Sequence, residues 1–344
     1  MKITLISEND RFYKVNMHCH TNISDGSRTP EEVKEFYKNA GYSAVCFTDH
    51  EILMNHKKLC DKDFIALNGY EVAIKESEDH HTGNFKKAYH FNIVAPSQDD
   101  VTAVNYYINC RSCPGNAKKY IDEFAKYSST IDHTEYDIDW INNFLQGIAD
   151  AGFLICYNHP SWSLQDSRDY APLKHLHAVE VINGACAKSR WDNTSTAYET
   201  LLRMGERLVP VGGDDNHVPS ESGLAWTMIR ADELSYEALI DGYKRGDCYA
   251  SEGPEIRSIV IEDGKIKVKT SSAARITVLS QGRYTAIAGQ RGKTITEAEF
   301  NYLPEKFGDF FRIEVRDPEG FCAFSTAYYT SDIEEQIKKQ CKNA

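Results

Sequence analysis

The sequence has no apolar stretch long enough to span a bilayer, so we expect no helical membrane anchor within its 344 residues. Its first apolar run ends at Ile6, which is too short for the hydrophobic region of a secretory signal. We therefore expect a cytoplasmic protein that does not contact membranes. Its ten cysteines should then be free thiols, because disulfides rarely persist in that compartment.

Positive charge is also scarce. The 39 Lys and Arg residues are outnumbered by 51 Asp and Glu, which gives a net charge of −12. Proteins that bind nucleic acid in general need a basic surface to neutralise the phosphates. We therefore expect no stable nucleic-acid binding. A small anion can still bind if the site supplies its own positive charge.

Up to about Gly253, short apolar runs alternate with amphipathic stretches. Several runs are continuous, as in Phe153-Leu154-Ile155-Cys156-Tyr157, which is typical of strands buried on both faces. The predicted strands are 15–20, 44–49, 64–71, 89–95, 153–157, 178–182 and 208–213, and the predicted helices are 30–40, 137–150, 195–205 and 235–246. This alternation predicts an α/β fold with parallel strands, and seven units favour a seven-stranded barrel.

Two regions depart from this rhythm. Residues 97–145 form a long insertion of the kind that often serves as a lid or a specificity element. After Pro254 the pattern becomes short alternating segments, with Asp263-Gly264 as a strong hairpin signal. We therefore divide the chain into an α/β domain (1–253), a small all-β, sandwich-like domain (254–331) and a charged tail (332–344).

Residues able to bind metals follow the predicted strands. His18 and His20 are two apart, so they face the same way in a strand and can hold one ion together. The carboxyl ends of parallel barrel strands open on one face, where side chains distant in sequence converge. The candidates are His18, His20, Asp25, His50, Glu71, His90, His159, Asp215 and His217. His90 lies near the start of its run, so that strand boundary is open to revision.

A lone histidine at a strand end is more often a surface or hydrogen-bonded core residue than a ligand. We give that interpretation to the remaining histidines: His56, His80, His81, His133, His175 and His177. Six His, two Asp and one Glu at strand ends in one chain are harder to attribute to chance.

The motifs that carry these residues resemble those of the polymerase-and-histidinol-phosphatase (PHP) family. The matching segments are Met17-His18-Cys19-His20-Thr21, Ser24-Asp25-Gly26, Thr29-Pro30-Glu31-Glu32, Phe47-Thr48-Asp49-His50, Asn158-His159-Pro160 and Gly213-Asp214-Asp215-Asn216-His217. The resemblance covers roughly residues 15–253 and implies a distorted (β/α)7 barrel. The added β-domain is similar in arrangement to CehA/McbA-type metallohydrolases of the same family.

The resemblance also implies a centre of two or three divalent metal ions. His18, His20, Glu71 and Asp215 would hold one ion, and Glu71 would bridge to a second ion held by His90 and His159. Asp25, His50 and His217 would hold the third. Motif spacing selects Asp215 over Asp214 as the ligand. Imidazole and carboxylate donors suit Zn, Mn or Fe.

The implied activity is hydrolysis of a small-molecule or nucleotide phosphomonoester by metal-activated water, with Asp215, His217 and His50 in the catalytic centre. The same chemistry would serve a carboxyl ester, carbamate or amide. A non-catalytic PHP module is a further alternative, although the ligand set looks intact. Asn183, Arg190, Trp162 and Arg28 are candidate substrate contacts. The pair Cys110 and Cys113 lacks a second CxxC, so we interpret both as loop residues.

Overall fold

Strands outnumber helices in the computed structural model, which describes residues 2–77, 80–99, 101–107, 114–189 and 195–343. The strands are β1 (Lys2–Ile6), β2 (Phe12–Asn16), β3 (Ala44–Phe47), β4 (Ile65–Lys75), β5 (Ala88–Val94), β6 (Thr102–Ala103), β7 (Tyr106–Tyr107), β8 (Lys126–Tyr127), β9 (Thr130–Ile131), β10 (Leu154–Tyr157), β11 (Ala178–Asn183), β12 (Val209–Gly213), β13 (Trp226–Arg230), β14 (Cys248–Ser251), β15 (Ile256–Glu262), β16 (Lys265–Ala273), β17 (Arg275–Ser280), β18 (Thr285–Ala288), β19 (Ile295–Asn301), β20 (Phe310–Arg316), β21 (Cys322–Ser325) and β22 (Tyr328–Tyr329).

The helices connect these strands in the first two thirds of the chain and close it at the end. They are α1 (Pro30–Asn39), α2 (Ala117–Phe124), α3 (Ile138–Asp150), α4 (Ser167–Tyr170), α5 (Gly184–Lys188), α6 (Thr196–Arg203), α7 (Tyr236–Arg245), α8 (Pro304–Phe307) and α9 (Thr330–Asn343). The helix predicted over 30–40 is α1, which begins with a capping box between Thr29 and Glu32 and has Pro30 in its first turn. Within the described residues, we find no helix with the length and apolarity needed to cross a bilayer.

The strands that carry the candidate ligands lie side by side in the order β12-β11-β10-β5-β4-β3-β2-β13-β14. β2, β3 and β4 are mutually parallel, and so are β10, β11 and β12. β5 runs antiparallel to both of its neighbours. The expectation of uniformly parallel strands is therefore wrong at β5. A direct β4–β5 connection needs no crossover helix, and its described residues contain only a short 3₁₀ turn, Gly83–Phe85.

The two ends of this strand series also approach each other. Cys19, just after β2, forms a parallel bridge with Asn216, just after β12. The contact is close, because a Cβ added to Gly213 would lie 2.6 Å from the Cβ of His18. The α/β fold is thus confirmed in outline, whereas the closed (β/α)7 barrel stays a prediction.

The region after residue 253 is rich in strands, as expected. β14 pairs with β21, and β21, β20, β17 and β18 extend the large sheet, while β1, β15, β16 and β19 form a second sheet. Apolar residues of both sheets pack into one cluster that includes Ile259, Ile276 and Ile313. The predicted hairpin is confirmed: Asp263 and Gly264, both with positive φ, connect Glu262 to its partner Lys265. The division at residue 253 stays a prediction, and β1 from the start of the chain pairs with β15.

We call residues 101–107 and 114–136 the β5–α3 segment. This segment covers most of the predicted insertion and contains β6, β7, α2, β8 and β9. Ala103 and Tyr106 are buried in the same cluster as Tyr70 and Val72 of β4. The segment is therefore packed against the strand that carries Glu71. Cys110 and Cys113 lie outside the described residues.

Candidate metal centre

The paired histidines lie just beyond the end of β2, because the strand predicted over 15–20 instead spans Phe12–Asn16. Both side chains are fully buried, and their Nε2 atoms are 3.1 Å apart. Nε2 of His18 lies 3.3 Å from Oδ1 of Asp215, and Nε2 of His20 lies 3.1 Å from the same oxygen. Glu71 offers one oxygen to each histidine at 3.4 Å. The two imidazoles and two carboxylates thus surround one point.

A second group forms around the other side of Glu71. Oε1 of Glu71 lies 3.1 Å from Nδ1 of His90 and 3.3 Å from Nε2 of His159. His90 reaches this point from near the amino-terminal end of β5, because that strand is reversed. The position of His90 near the start of its strand is therefore not a boundary error. The strand begins within one residue of the predicted start but runs in the opposite direction.

Asp25 is the centre of a third group. Its carboxylate oxygens lie 3.5 Å from Nε2 of His217, and 3.8 Å from both Nδ1 of His20 and Nε2 of His50. The turn that carries Asp25 is fixed by Asp49, which accepts hydrogen bonds from the backbone and hydroxyl groups of Thr21 and Ser24. All nine candidate residues are therefore brought together, and none is left outside the cluster.

The nitrogen and oxygen atoms of this cluster fit divalent metal ions. Three overlapping groups have donor atoms within 4.8 Å of one another: His20, Asp25, His50 and His217; His18, His20 and Asp215; and His18, Glu71 and His159. Among the described residues, buried Nδ1 of His20 and buried Nδ1 of His50 have no hydrogen-bond partner. Buried polar atoms normally have partners, so these nitrogens are consistent with a cation as the missing one.

The electrostatics of the cluster keep its carboxylates anionic. Burial by itself would raise the pKa of Glu71, but His90, His18 and His50 hold it well below the usual value. Burial would likewise raise the pKa of Asp215, but His18 and His20 hold it well below its usual value. By contrast, burial lowers the pKa of His50 to about 3. His50 is therefore neutral, which is the state in which an imidazole binds a metal ion.

Two of the nine residues have backbones in the left-handed region. φ is 25° at His159 and 52° at Asp215. Such conformations cost on the order of 1–3 kcal/mol for residues other than glycine, and they persist where surrounding structure holds them. At Asp215 the backbone N–H donates to the carbonyl of His18 at 2.8 Å. The strain therefore lies where two distant strands present their ligands.

Glu180 on β11 belongs to the site but was missed in the sequence. One of its oxygens lies 3.0 Å from Nδ1 of His18, and the other accepts from the backbone N–H of His159 at 3.1 Å and the amide of Asn183 at 2.9 Å. A carboxylate in this position fixes the orientation of a metal-binding imidazole. The available signal was a single acidic residue inside the otherwise apolar strand Ala178–Asn183.

The two neighbouring aspartates point to different surroundings. The carboxylate of Asp214 accepts hydrogen bonds from the hydroxyl of Tyr37 at 2.7 Å and from the backbone N–H groups of residues 223–225 at 2.5–2.8 Å. Burial raises its pKa to about 6. Asp214 thus supports a loop, while Asp215 faces the histidines, which agrees with the choice made from motif spacing.

The candidate substrate contacts differ in their positions. The amide of Asn183 donates to Asp215 at 3.1 Å, and the half-exposed ring of Trp162 packs edge-on against His159 and His90. Arg28 instead stacks on Phe36 and donates to Ser222. Arg190 lies outside the described residues.

The histidines interpreted as structural make other contacts. His56 is buried against Phe47, and Nε2 of His177 lies 3.0 Å from the carbonyl of Tyr243. His81 pairs with Glu76, and exposed His133 pairs with its acidic neighbours. In the described part of the chain, none of the six belongs to a candidate metal group.

The fold and the site together define an α/β protein with a buried centre for divalent metal ions. Residues 16–157, less than half of the chain, match the family model of the PHP domain. The match spans six of the nine candidate ligands, from His18 to His90. The match agrees with the resemblance seen in the motifs, and a PHP domain indicates a metal-dependent hydrolytic enzyme.

The chain is similar to several solved structures at low identity. A two-domain protein from Bacteroides vulgatus containing a predicted PHP-like metal-dependent phosphoesterase is 13% identical, with a TM-score of 0.45 over 94% of this chain and 96% of its own. An amidohydrolase from Chromobacterium violaceum is 15% identical, with a TM-score of 0.37 over 60% and 88%. A lesion-specific endonuclease from Pyrococcus furiosus is 12% identical, with a TM-score of 0.42 over 68% and 56%. No curated protein matches the chain.

Proposed function

We propose that this protein is a metal-dependent phosphoesterase that hydrolyses a phosphomonoester of a small molecule or nucleotide. The observation that carries the proposal is the convergence of eight buried or partly buried imidazole and carboxylate side chains into three overlapping donor groups, with His90 3.1 Å from Glu71 as the ninth candidate. Clustered ions suit this reaction, because phosphoryl transfer depends mainly on positioning and charge neutralisation. A cluster that retains every expected ligand is also a poor match for a non-catalytic module.

We assign the ligands as the family pattern implies. His18, His20, Glu71 and Asp215 hold one ion, His90 and His159 share a second ion with Glu71, and Asp25, His50 and His217 hold a third. The donors are nitrogen and oxygen without thiolate, which favours Zn, Mn or Fe. Two or three such ions add enough positive charge to attract a phosphate to a protein of net charge −12.

When bound, the ions supply activated water and neutralise charge on the phosphate. The protein contributes orientation and proton transfer. Glu180 keeps His18 turned towards the centre through Nδ1. His217 is the most accessible of the nine, with 35% of its side chain exposed, and its Nε2 faces Asp25. We propose that, when the third ion is absent, His217, assisted by Asp25, passes a proton to the departing oxygen, with Asp215 and His50 completing the catalytic centre.

An alternative substrate is a carboxyl ester, carbamate or amide. A cavity of about 160 Å³ adjoins His159 and is lined by the amide side chains of Gln165 and Asn183 and by the carboxylate of Glu180. Among its described lining residues there is no Lys or Arg. A cavity with this lining suits a neutral polar part of a substrate better than it suits a phosphate group.

Hydrolysis measurements on matched panels of phosphomonoesters, carboxyl esters and amides test both proposals. The full chain would be freed of metal with a chelator and then supplied with Mn²⁺ or Zn²⁺. We expect metal to restore phosphomonoester hydrolysis, and Asp215→Ala and His159→Ala to abolish it. His175→Ala, at an exposed position, is the control. Turnover of the esters or amides alone would favour the alternative, and no turnover despite bound metal would overturn both.

A further inference from the structure

The β5–α3 segment contacts the backbone next to two proposed ligands, Asp25 and His50. The first contact is made beside Asp25. The backbone N–H of Asn116 donates to the carbonyl of Ser24 at 2.7 Å, and the side-chain amide of Asn116 donates to the carbonyl of Asn22 at 2.9 Å. Two hydrogen bonds from one residue of the segment therefore hold the turn from which the Asp25 side chain projects.

Gly115 makes this contact possible. Its φ is +56°, and a Cβ at this position would lie 1.9 Å from the carbonyl oxygen of Ser24. No side chain fits in that space, so the close approach of the two backbones requires glycine. On the other side of Asp25, the N–H of Ser27 donates to the carbonyl of His217 at 2.8 Å. The carboxylate is thus held between the segment and another ligand of the same group.

The second contact is made beside His50. The hydroxyl of buried Tyr106 donates to the carbonyl of Glu51 at 2.7 Å. Glu51 directly follows His50 and has a left-handed backbone with φ of 58°. Its side chain is also fixed, because Oε1 accepts from the backbone N–H of Ala73 at 2.9 Å. The segment therefore constrains a strained residue next to the ligand.

Both contacts serve the same donor group, which contains His20, Asp25, His50 and His217. The group around Glu71 is supported differently. Glu71 and His90 lie on adjacent antiparallel strands, where Ala73 faces His90 and Glu71 faces Asn92 in the ladder. Regular strand pairing fixes Glu71 and His90, whereas Asp25 and His50 lie on loops that need external support.

We propose that the β5–α3 segment is a positioning element for the Asp25–His50–His217 group and sets the affinity of that group for its metal ion. The inference rests on the proposed metal centre and deepens it. Loss of the contacts should weaken one ion selectively and leave ions bound through Glu71 in place. Supporting residues of this kind typically change metal affinity by about 10- to 100-fold.

Zinc titration of the full, chelator-treated chain tests the proposal, with calorimetry for affinity and elemental analysis for bound Zn²⁺ per chain. We expect Gly115→Ala to weaken one Zn²⁺ site by about 10- to 100-fold. Gly83→Ala is the matched control: Gly83 has the same φ of +56°, but an added Cβ meets nothing within 4 Å. Unchanged zinc binding by Gly115→Ala would overturn the inference.

Milder variants cover the case in which Gly115→Ala fails to fold. Tyr106→Phe and Asn116→Ala each remove side-chain hydrogen bonds only, and each should weaken the same site. Asp25→Ala identifies that site, and combining it with Asn116→Ala should cause no further loss of zinc. Additive losses would contradict the inference. A wild-type chain that binds no Zn²⁺ would instead overturn the metal centre itself, so the two failures are distinguishable.

Discussion

At the scale of single residues, Glu180 joins two parts of the centre. It faces His18 with one oxygen and the backbone of His159 with the other. In Glu180→Gln, an amide NH₂ group must face one of these two N–H donors, so one hydrogen bond is lost. We expect zinc affinity to fall by about tenfold or more, measured by competition with a chromogenic chelator. Glu135→Gln, at an exposed position, is the control, and equal affinity in both variants would contradict this role.

Asp214 and Asp215 should give opposite results when changed. Asp214→Asn places an amide against four hydrogen-bond donors, so we expect a loss of about 1–3 kcal/mol in the free energy of unfolding with bound zinc retained. Asp215→Asn should bind at least one zinc ion fewer. Urea unfolding and elemental analysis of both variants measure this. Loss of zinc in Asp214→Asn without loss of stability would reverse the assignment.

The sequence predicts those residues of the centre that lie within short, recognisable motifs. His18, His20, Asp25, His50 and Asp215 each lie in a recognisable segment, and the structure brings them together. Glu180 has no motif, and its importance depends on which strand lies beside β10. The choice between Asp214 and Asp215 was available from spacing, but the contacts of Asp214 with residues 223–225 were not.

At the scale of elements, strand positions were predictable and the direction of β5 was not. Predicted boundaries for β3, β10, β11 and β12 differ from the structure by two residues or fewer at each end. Apolar runs identify buried strands in either direction, so periodicity alone carries no information about orientation. The strands β1, β13, β14 and β19 were missed for a different reason: each is short and mixes apolar with polar residues, so none forms a continuous apolar run.

The contact of β12 with β2 gives a prediction at this scale. A methyl group at Gly213 would lie 2.6 Å from Cβ of His18 and 2.8 Å from its backbone nitrogen. We expect Gly213→Ala to force the strands apart and to lower the free energy of unfolding by about 1–3 kcal/mol, measured by urea unfolding. Gly282→Ala, whose nearest neighbours are 3.9 Å away, is the control. Equal stability of both variants would mean that the two strands separate without strain.

At the scale of the whole molecule, stability should depend on pH through buried histidine. Burial lowers the pKa of His56 to about 4, with Asp49 and Glu31 opposing the shift. Between pH 4 and the pKa of about 6.5 in the unfolded chain, His56 binds more protons in the unfolded chain than in the folded one. The stability contributed by neutral His56 is therefore present above pH 6.5 and is lost as the pH falls towards 4. The slope is about 1.4 kcal/mol per pH unit for one proton.

Urea unfolding of the chelator-treated wild type and of His56→Gln, from pH 7.5 to 4.5, checks this expectation. Glutamine does not titrate, so the advantage of the wild type should shrink as the pH falls. His133→Gln, at an exposed position, is the control. An advantage that stays constant across the range would show that His56 does not contribute this pH dependence.

The pairing of β4 with β5 has a consequence for how the molecule assembles. Glu71 and His90 are only 19 residues apart, and their strands are neighbours in both sequence and space. Closing so short a loop loses little chain entropy, whereas joining Asn16 to Asn216 brings together residues 200 apart. One corner of the centre can therefore form from a local hairpin, whereas the contact between β2 and β12 requires the closure of a much longer loop. A metal ion captured by that corner would bind a folding intermediate before the complete site exists.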